Sequence, residues 1–227
     1  MRGRSFCLTI ILLCSLLLPV ATTPAAASLE ELGSAGKVAE FDHAAIGWWE
    51  LDNGNILIAT PEGIVTAYLV HENGTYAEVW SVDTNTSVNC ADFNSNEALL
   101  ALGTTSVVVV VSIDYMDELY RFTVNEAVDG VAWDRDGDLW VTKRLSKNAI
   151  EWDGTASTLS GISTISSHTN GITDVVALSD GKILTSGRDK QIRVHDENGS
   201  FVQSLADSTA PLLKLGLSND EAFLFSL

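Results

Sequence analysis

The chain has 227 residues, 46% of them hydrophobic, and this composition excludes wholesale disorder. Thirteen basic residues against 30 acidic ones give a formal net charge of −17. A nucleic-acid partner is therefore not expected, because phosphate binding requires a basic surface. A solvated acidic surface explains the charge more simply than a dedicated site for cations or basic proteins.

The first 27 residues have the pattern of a secretory signal peptide. Two arginines precede an apolar run from Phe6 to Val20, and three alanines at 25–27 supply the small residues needed for cleavage before Ser28. An uncleaved membrane anchor is the weaker interpretation, because the run is short for a bilayer and is interrupted by polar residues and a proline. We therefore expect a secreted or extracytoplasmic protein, with no stable membrane span after cleavage.

From residue 37 onward the sequence is a series of short strand-like runs separated by turn pairs such as Asn-Gly and Asp-Gly. The first run of each unit ends in a bulky residue followed by a polar turn. These residues lie 39 to 45 positions apart and are Leu51, Phe93, Trp133, Leu178 and Leu217. A period near forty with several strands per unit is typical of propeller blades.

The sequence therefore predicts an all-β fold, a β-propeller of four-stranded antiparallel blades with about 4.5 blades present. After the signal peptide (1–27) and a linker (28–36), the propeller occupies 37–227. Its units are 46–82, 88–124, 128–159, 172–205 and a partial unit at 212–227, and the last strand of the third unit is predicted at Ser157–Leu159.

An incomplete last unit would leave an open sheet edge, which natural chains avoid. We therefore expect a fragment of a ring of six to eight blades. The alternative is a five-blade ring, completed by an N-terminal strand at Lys37–Phe41 or by self-association.

The fourth unit carries a motif that begins at His168, continues through Ser186-Gly-Arg-Asp189 and closes with His195-Asp196. This segment resembles a WD repeat, with His195 where the family has Trp. In that family His, Ser, Asp and Trp form a hydrogen-bonded set that stabilises each blade. The resemblance therefore implies a structural set of His168, Ser186, Asp189 and His195, in which His195 departs from the pattern.

The segment from Asp134 to Asp138 holds three carboxylates, a pattern that can bind calcium. Its position between two predicted strands favours ordinary turn chemistry, and the full calcium loop is absent. No nucleophile beside a base, histidine cluster or phosphate-binding glycine loop occurs at an informative spacing. The sequence thus predicts no catalytic, cofactor-binding or metal-binding residues.

Adjacent tryptophans at positions 48 and 49 must face opposite sides of a regular strand, so one of them can be partly exposed. Packing between blades is the favoured interpretation of the pair. Three Asn residues that fit the N-glycosylation pattern, Asn73, Asn85 and Asn198, lie in predicted turns, a placement that turn chemistry also explains.

As in WD-repeat relatives, we expect a noncatalytic scaffold outside the cytoplasm that presents loops to another protein. The alternative is an enzyme or ligand-binding propeller that resembles the quinoprotein or sugar-lactone enzymes, with its site at the mouth of the central channel. Fold alone does not separate the two.

Overall fold

The computed structural model describes residues 44–71, 75–154, 161–218 and 221–227, in which all regular structure is β. The predicted signal peptide and linker, the strand at Lys37–Phe41 and Asn73 lie outside these residues. Within the described ranges, no helix is long and apolar enough to cross a membrane.

Four sheets of four antiparallel strands follow one another along the chain, each built from consecutive strands, and a two-stranded sheet follows them. Blade 1 contains β1 (Gly47–Glu50), β2 (Ile56–Ala59), β3 (Ile64–Val70) and β4 (Tyr76–Asp83). Blade 2 contains β5 (Val88–Asn94), β6 (Leu99–Thr104), β7 (Val107–Ser112) and β8 (Asp117–Thr123). Blade 3 contains β9 (Val128–Trp133), β10 (Leu139–Lys143), β11 (Ala149–Trp152) and β12 (Gly161–Ile165). Blade 4 contains β13 (Ile172–Ala177), β14 (Ile183–Gly187), β15 (Gln191–His195) and β16 (Phe201–Asp207), and the last sheet contains β17 (Leu215–Leu217) and β18 (Leu224–Ser226).

The first strands of the sheets, β1, β5, β9, β13 and β17, lie side by side in chain order. The fourth strands lie on the outside, as the alternation of exposed and half-buried residues along β8 shows. The sheets therefore radiate from a common axis, as the blades of a propeller do. The all-β fold with four-stranded antiparallel blades that the sequence predicts is confirmed.

Antiparallel pairing gives the molecule two ends. The first and third turns of each four-stranded blade, and the single turn of the last sheet, lie at one end, which we call the lower end. The second turns and the connections between sheets lie at the other, the upper end. At the lower end Arg135 of blade 3 donates to the carbonyl oxygen of Asp180 in blade 4, and at the upper end the Ile172 amide donates to the Ser146 carbonyl oxygen.

Apolar layers between neighbouring sheets form the core. The second strand of blade 2, β6, is buried along its whole length, and five of the six residues of β7 are buried. A run of five valines fits β7 because β-branched side chains favour strands and both faces of this one are covered. Burial on both faces also removes the polar alternation that marks a half-exposed strand.

Trp48 and Trp49 face opposite sides of β1. Trp49 is fully buried against blade 2, with its ring centroid 6.1 Å from that of Phe93, whereas Trp48 is 42% exposed. The interpretation of packing between blades therefore holds for Trp49 alone. Trp48 lies on the side of blade 1 that faces away from blade 2.

Blade 3 extends beyond its predicted limit. The predicted strand at Ser157–Leu159 falls on residues outside the described ranges, and the fourth strand is Gly161–Ile165, so the unit continues past residue 159. The buried residue that fixes this strand is Ile165, which packs in the layer between blades 3 and 4. More residues separate β11 from β12 than separate the third and fourth strands of the other blades.

Hydrogen bonds and strand pairing show which residue opens the first turn of each unit. Leu51, Asp134 and Leu178 each accept the amide of the glycine three residues later, so these three open equivalent turns. Phe93, Trp133 and Leu217 instead precede the turn by one residue, and Asn94, Asp134 and Ser218 open it. The bulky residue that ends the first run of a unit is thus either the residue that opens the turn or the residue before it.

Candidate functional site: the buried polar groups and the two ends

His168 is the centre of a buried polar network in blade 4. It lies in the connection between β12 and β13 and is 4% exposed. Its Nδ1 lies 2.9 Å from Asp189 Oδ1, and its Nε2 lies 2.8 Å from the Thr185 hydroxyl. Asp189, in the turn between β14 and β15, also accepts the amide of Thr169 at 2.9 Å. These hydrogen bonds thus link the connection between β12 and β13 to the turn between β14 and β15 at the upper end.

The hydroxyl beside His168 belongs to Thr185 and not to Ser186, which the sequence assigned to this set. Successive residues of β14 point to opposite faces, so only one of the two hydroxyls can reach the histidine. Ser186 Oγ instead lies 3.1 Å from the Thr173 hydroxyl, which donates to the Leu212 carbonyl oxygen at 2.8 Å. Ser186 therefore belongs to a separate contact that leads toward the last sheet.

His195 occupies the place of the family tryptophan but has its own partners. It is fully buried on β15, with Nε2 2.8 Å from the Ser167 hydroxyl and Nδ1 3.4 Å from the Ile183 carbonyl oxygen. Its ring centroid lies 6.5 Å from that of His168, and no bond joins the two rings. The equivalent position of blade 3, opposite the start of the second strand, holds Trp152.

Burial governs the charge of these groups. It lowers the pKa of His195 to about 4 and also lowers the pKa of His168, against the opposing effect of Asp189. Burial opposes the ionisation of Asp189, but the contacts from His168 and the Thr169 amide outweigh it and lower the pKa of this carboxyl. At neutral pH the set is two neutral imidazoles beside one carboxylate, all bonded to protein groups, which is an arrangement suited to holding a blade together.

These histidines make stability depend on pH. An unfolded histidine has a pKa of about 6.5, and His195 in the fold has one of about 4. At this residue the unfolded chain binds more protons between these values, so the contribution of His195 to the free energy of unfolding falls as the pH is lowered through this range. His195→Gln is expected to flatten the fall, measured by urea denaturation at several pH values. His71→Gln, which changes an exposed residue, is the control; equal slopes in the two variants would refute the assignment.

A group of three carboxylates lies at the lower end of blade 3. Ligand oxygens of Asp134, Asp138 and Glu151 all lie within 4.8 Å of one another, a spacing that could hold a metal ion. Asp134 Oδ1 also accepts the amides of Asp136 and Asp138, each at 3.0 Å, as expected of an Asx turn. The turn chemistry that the sequence favoured is thus present.

The sequence missed Glu151 as a member of this group. It lies on β11 opposite Trp140 of β10, and it is 5% exposed. Burial is the largest cause that raises its pKa to about 7, and a hydrogen bond with Asp134 adds to the rise while one with Ser163 opposes it. A glutamate within a strand-forming run that follows a carboxylate-rich turn is the sequence signal that could have identified Glu151.

Glu151 is expected to affect stability in the opposite direction to His195. Its pKa rises from the ordinary 4.5 to about 7 on folding, so the folded chain binds more protons between these values. The contribution of Glu151 to the free energy of unfolding should therefore fall as the pH is raised from about 4.5 to about 7. Glu151→Gln is expected to remove this fall, and denaturation at pH 5 and pH 7.5 measures it. If the free energy of unfolding changed by the same amount between these two pH values in the variant and in the wild-type chain, the prediction would be wrong.

The partly exposed Lys214 forms a second polar contact near the axis, with the buried Asp174 and with Asp129. Its Nζ donates to the Asp129 carbonyl oxygen at 2.5 Å and lies 3.4 Å from Asp174 Oδ1. The Leu215 amide donates to Asp174 Oδ2 at 2.9 Å. A Cβ at Gly130 would lie 2.6 Å from Asp174 Oδ1, so this position of the neighbouring inner strand requires a glycine. The last sheet is thereby tied to blades 3 and 4.

Burial and pairing act against each other in this contact. Burial raises the pKa of Asp174, and Lys214 partly offsets that rise. Burial alone would lower the pKa of Lys214, but the nearby Asp174 carboxylate outweighs it and the pKa is raised. Each group thus favours the ionised form of the other.

Comparison with known proteins places this geometry in a class. Residues 160–196 match the family model "WD domain, G-beta repeat". The matched segment joins the outer strand of blade 3 to the first three strands of blade 4 and includes the network around His168. No curated protein sequence matches the chain.

Among solved structures, that of U3-55K is similar, with a TM-score of 0.59 and 21% sequence identity. The match covers 73% of this chain and 52% of that one, so this chain spans about half the length of U3-55K. At this identity the likeness shows the fold alone. The protein is a β-propeller. The matched repeat and the similar fold both support the resemblance of this chain to WD-repeat propellers.

Proposed function

We propose that the chain is an exported, noncatalytic scaffold that binds another protein through the turns of its propeller. WD-repeat propellers in general mediate protein interactions, which supports the coarser part of this proposal. The observation that carries it is the division of the chain into buried inner strands and exposed turns. Rigid strands that hold variable loops are a common basis for recognition.

The turns expose large apolar side chains at defined positions. Tyr115 and Met116, between β7 and β8, are 78% and 52% exposed, and Leu145, between β10 and β11, is 70% exposed. Exposed aromatic and Met side chains in fixed turns are suitable anchors for a partner, because few residues supply most of the energy of an interface. The buried histidines of blade 4, by contrast, are fully engaged in holding the fold.

Photo-crosslinking in the native host tests the interaction. A benzophenone amino acid replaces Tyr115 or Leu145, and the control replaces Ile162, which is 54% exposed on the outer strand β12. We expect at least one turn position to give a discrete adduct with another protein, competed by the unmodified chain, and Ile162 to give none. Absence of a competed adduct at both turns, or equal labelling at Ile162, would overturn the proposal.

Export is tested separately on the protein recovered from the host. We expect the mature chain to begin at Ser28 and to lie outside the cytoplasm. A variant that lacks residues 2–27 should stay inside. An intact N-terminus on a cytoplasmic product would contradict export while leaving the interaction untouched.

A further inference from the structure

The two ends of the propeller differ in charge. In the described residues between strands, the lower-end turns hold 11 acidic and 2 basic residues, and the upper-end turns and connections hold 3 acidic and 5 basic ones. The net negative charge of the described turns and connections is therefore concentrated at one end. A uniformly solvated acidic surface does not explain this difference.

The two basic residues of the lower-end turns are neutralised within that end. Arg135 lies 3.6 Å from Asp136 and also pairs with Glu197 of blade 4, and Lys182 pairs with Asp180. Their positive charges are thus taken up by local carboxylates. The remaining carboxylates give this end a negative potential that would attract a cationic partner.

An exposed apolar pair lies within this negative surface. Tyr115 and Met116 protrude from the turn between β7 and β8, flanked by the exposed Asp114 and Asp117. The turn is held in place, since the Ile113 amide donates to the Ala98 carbonyl oxygen at 2.9 Å and the Ile113 side chain is buried. The pair is therefore presented in a fixed orientation, which limits the entropy that a partner must offset on binding.

We propose that the lower end binds a segment rich in lysine or arginine on the partner protein, with Tyr115 and Met116 as its apolar contact. This inference rests on the proposed scaffold function and names the chemistry of the partner. Carboxylates around the turn attract the basic side chains, while the face of Tyr115 accepts a cation and the side chain of Met116 packs on aliphatic stems. Such binding weakens with salt because the charges are exposed.

A peptide of ten lysines carrying a fluorescent label is the probe, and fluorescence anisotropy measures its binding to the purified chain. Asp114→Asn with Asp117→Asn is compared with Glu62→Gln with Glu126→Gln, a matched loss of two charges at the upper end. The lower-end variant loses two exposed charge pairs and should bind roughly 2- to 30-fold more weakly, and the upper-end variant should stay close to wild type. Tyr115→Ser should also weaken binding, and Leu145→Ser should not.

Equal loss in the two double variants would show a general charge effect and would overturn the lower-end site, as would absence of binding at low salt. Thermal unfolding of every variant shows that the fold is kept. If decalysine does not bind but Tyr115 still gives a competed protein adduct, the proposed scaffold function is retained and only the proposal of a basic partner segment is wrong. If neither the Tyr115 adduct nor decalysine binding is observed, the proposed scaffold function is wrong as well.

Discussion

Trp49→Ala should lower the free energy of unfolding by about 3–5 kcal/mol, the usual cost of removing a large buried aromatic side chain. Trp49 is fully buried between blades 1 and 2 and packs against Phe93. Its loss removes this contact and leaves a cavity that rigid neighbouring strands cannot close. Urea denaturation monitored by circular dichroism measures the effect.

The adjacent tryptophan is the matched control. Trp48 is 42% exposed, so Trp48→Ala removes the same side chain from the same strand with much less burial lost. We expect its effect to be about 1 kcal/mol, the centre of the distribution for point mutants. If the two variants were equally unstable, the assignment of Trp49 to the inter-blade layer and of Trp48 to the open face would be wrong.

Lys214→Met should cost roughly 3 kcal/mol, because it leaves the Asp174 carboxylate buried without its cation. This figure lies at the lower end of the range for broken buried pairs, since the Lys214 side chain keeps 32% exposure. Methionine preserves most of the length and apolar volume of the lysine, so the loss reports the charge. Chemical denaturation at pH 7 measures it.

Asp174→Asn supplies the second half of this test. In the double variant with Lys214→Met, neither position of this pair carries a charge. The side-chain amide oxygen introduced at position 174 can still accept a hydrogen bond from the Leu215 amide. The double variant is therefore expected to be more stable than Lys214→Met alone. Strictly additive losses would mean that the two groups do not interact.

The blades could be predicted from the sequence because each unit repeats the same physical signals. Strand-forming runs and turn pairs such as Asp180-Gly181 recur about every forty residues, and Gly181 adopts a φ of +90°, which glycine tolerates at little cost. The residue that opens each turn had to come from the structure, since Leu178 opens its turn itself whereas Trp133 is followed by Asp134, which opens the turn.

The polar contacts were harder to predict because they join residues far apart in the chain. The resemblance named His168 and Asp189, but the choice between Thr185 and Ser186 depends on which face of β14 each side chain takes. Lys214 and Asp174 are separated by a whole blade, and no local pattern links them. The charge difference between the ends likewise requires the strand directions, which composition alone does not contain.

Rigid sheets that hold exposed turns are the central claim, and amide hydrogen exchange followed by mass spectrometry tests it most directly on the purified chain. Slow exchange is expected in β6, β7, β10 and β14, whose amides are paired on both sides and buried between blades. Fast exchange is expected in the turns around Tyr115 and Leu145 and in the outer strand β8. Rapid exchange throughout β6, β7, β10 and β14 would contradict the claim, because a chain without stable blades could not hold its turns in a fixed arrangement.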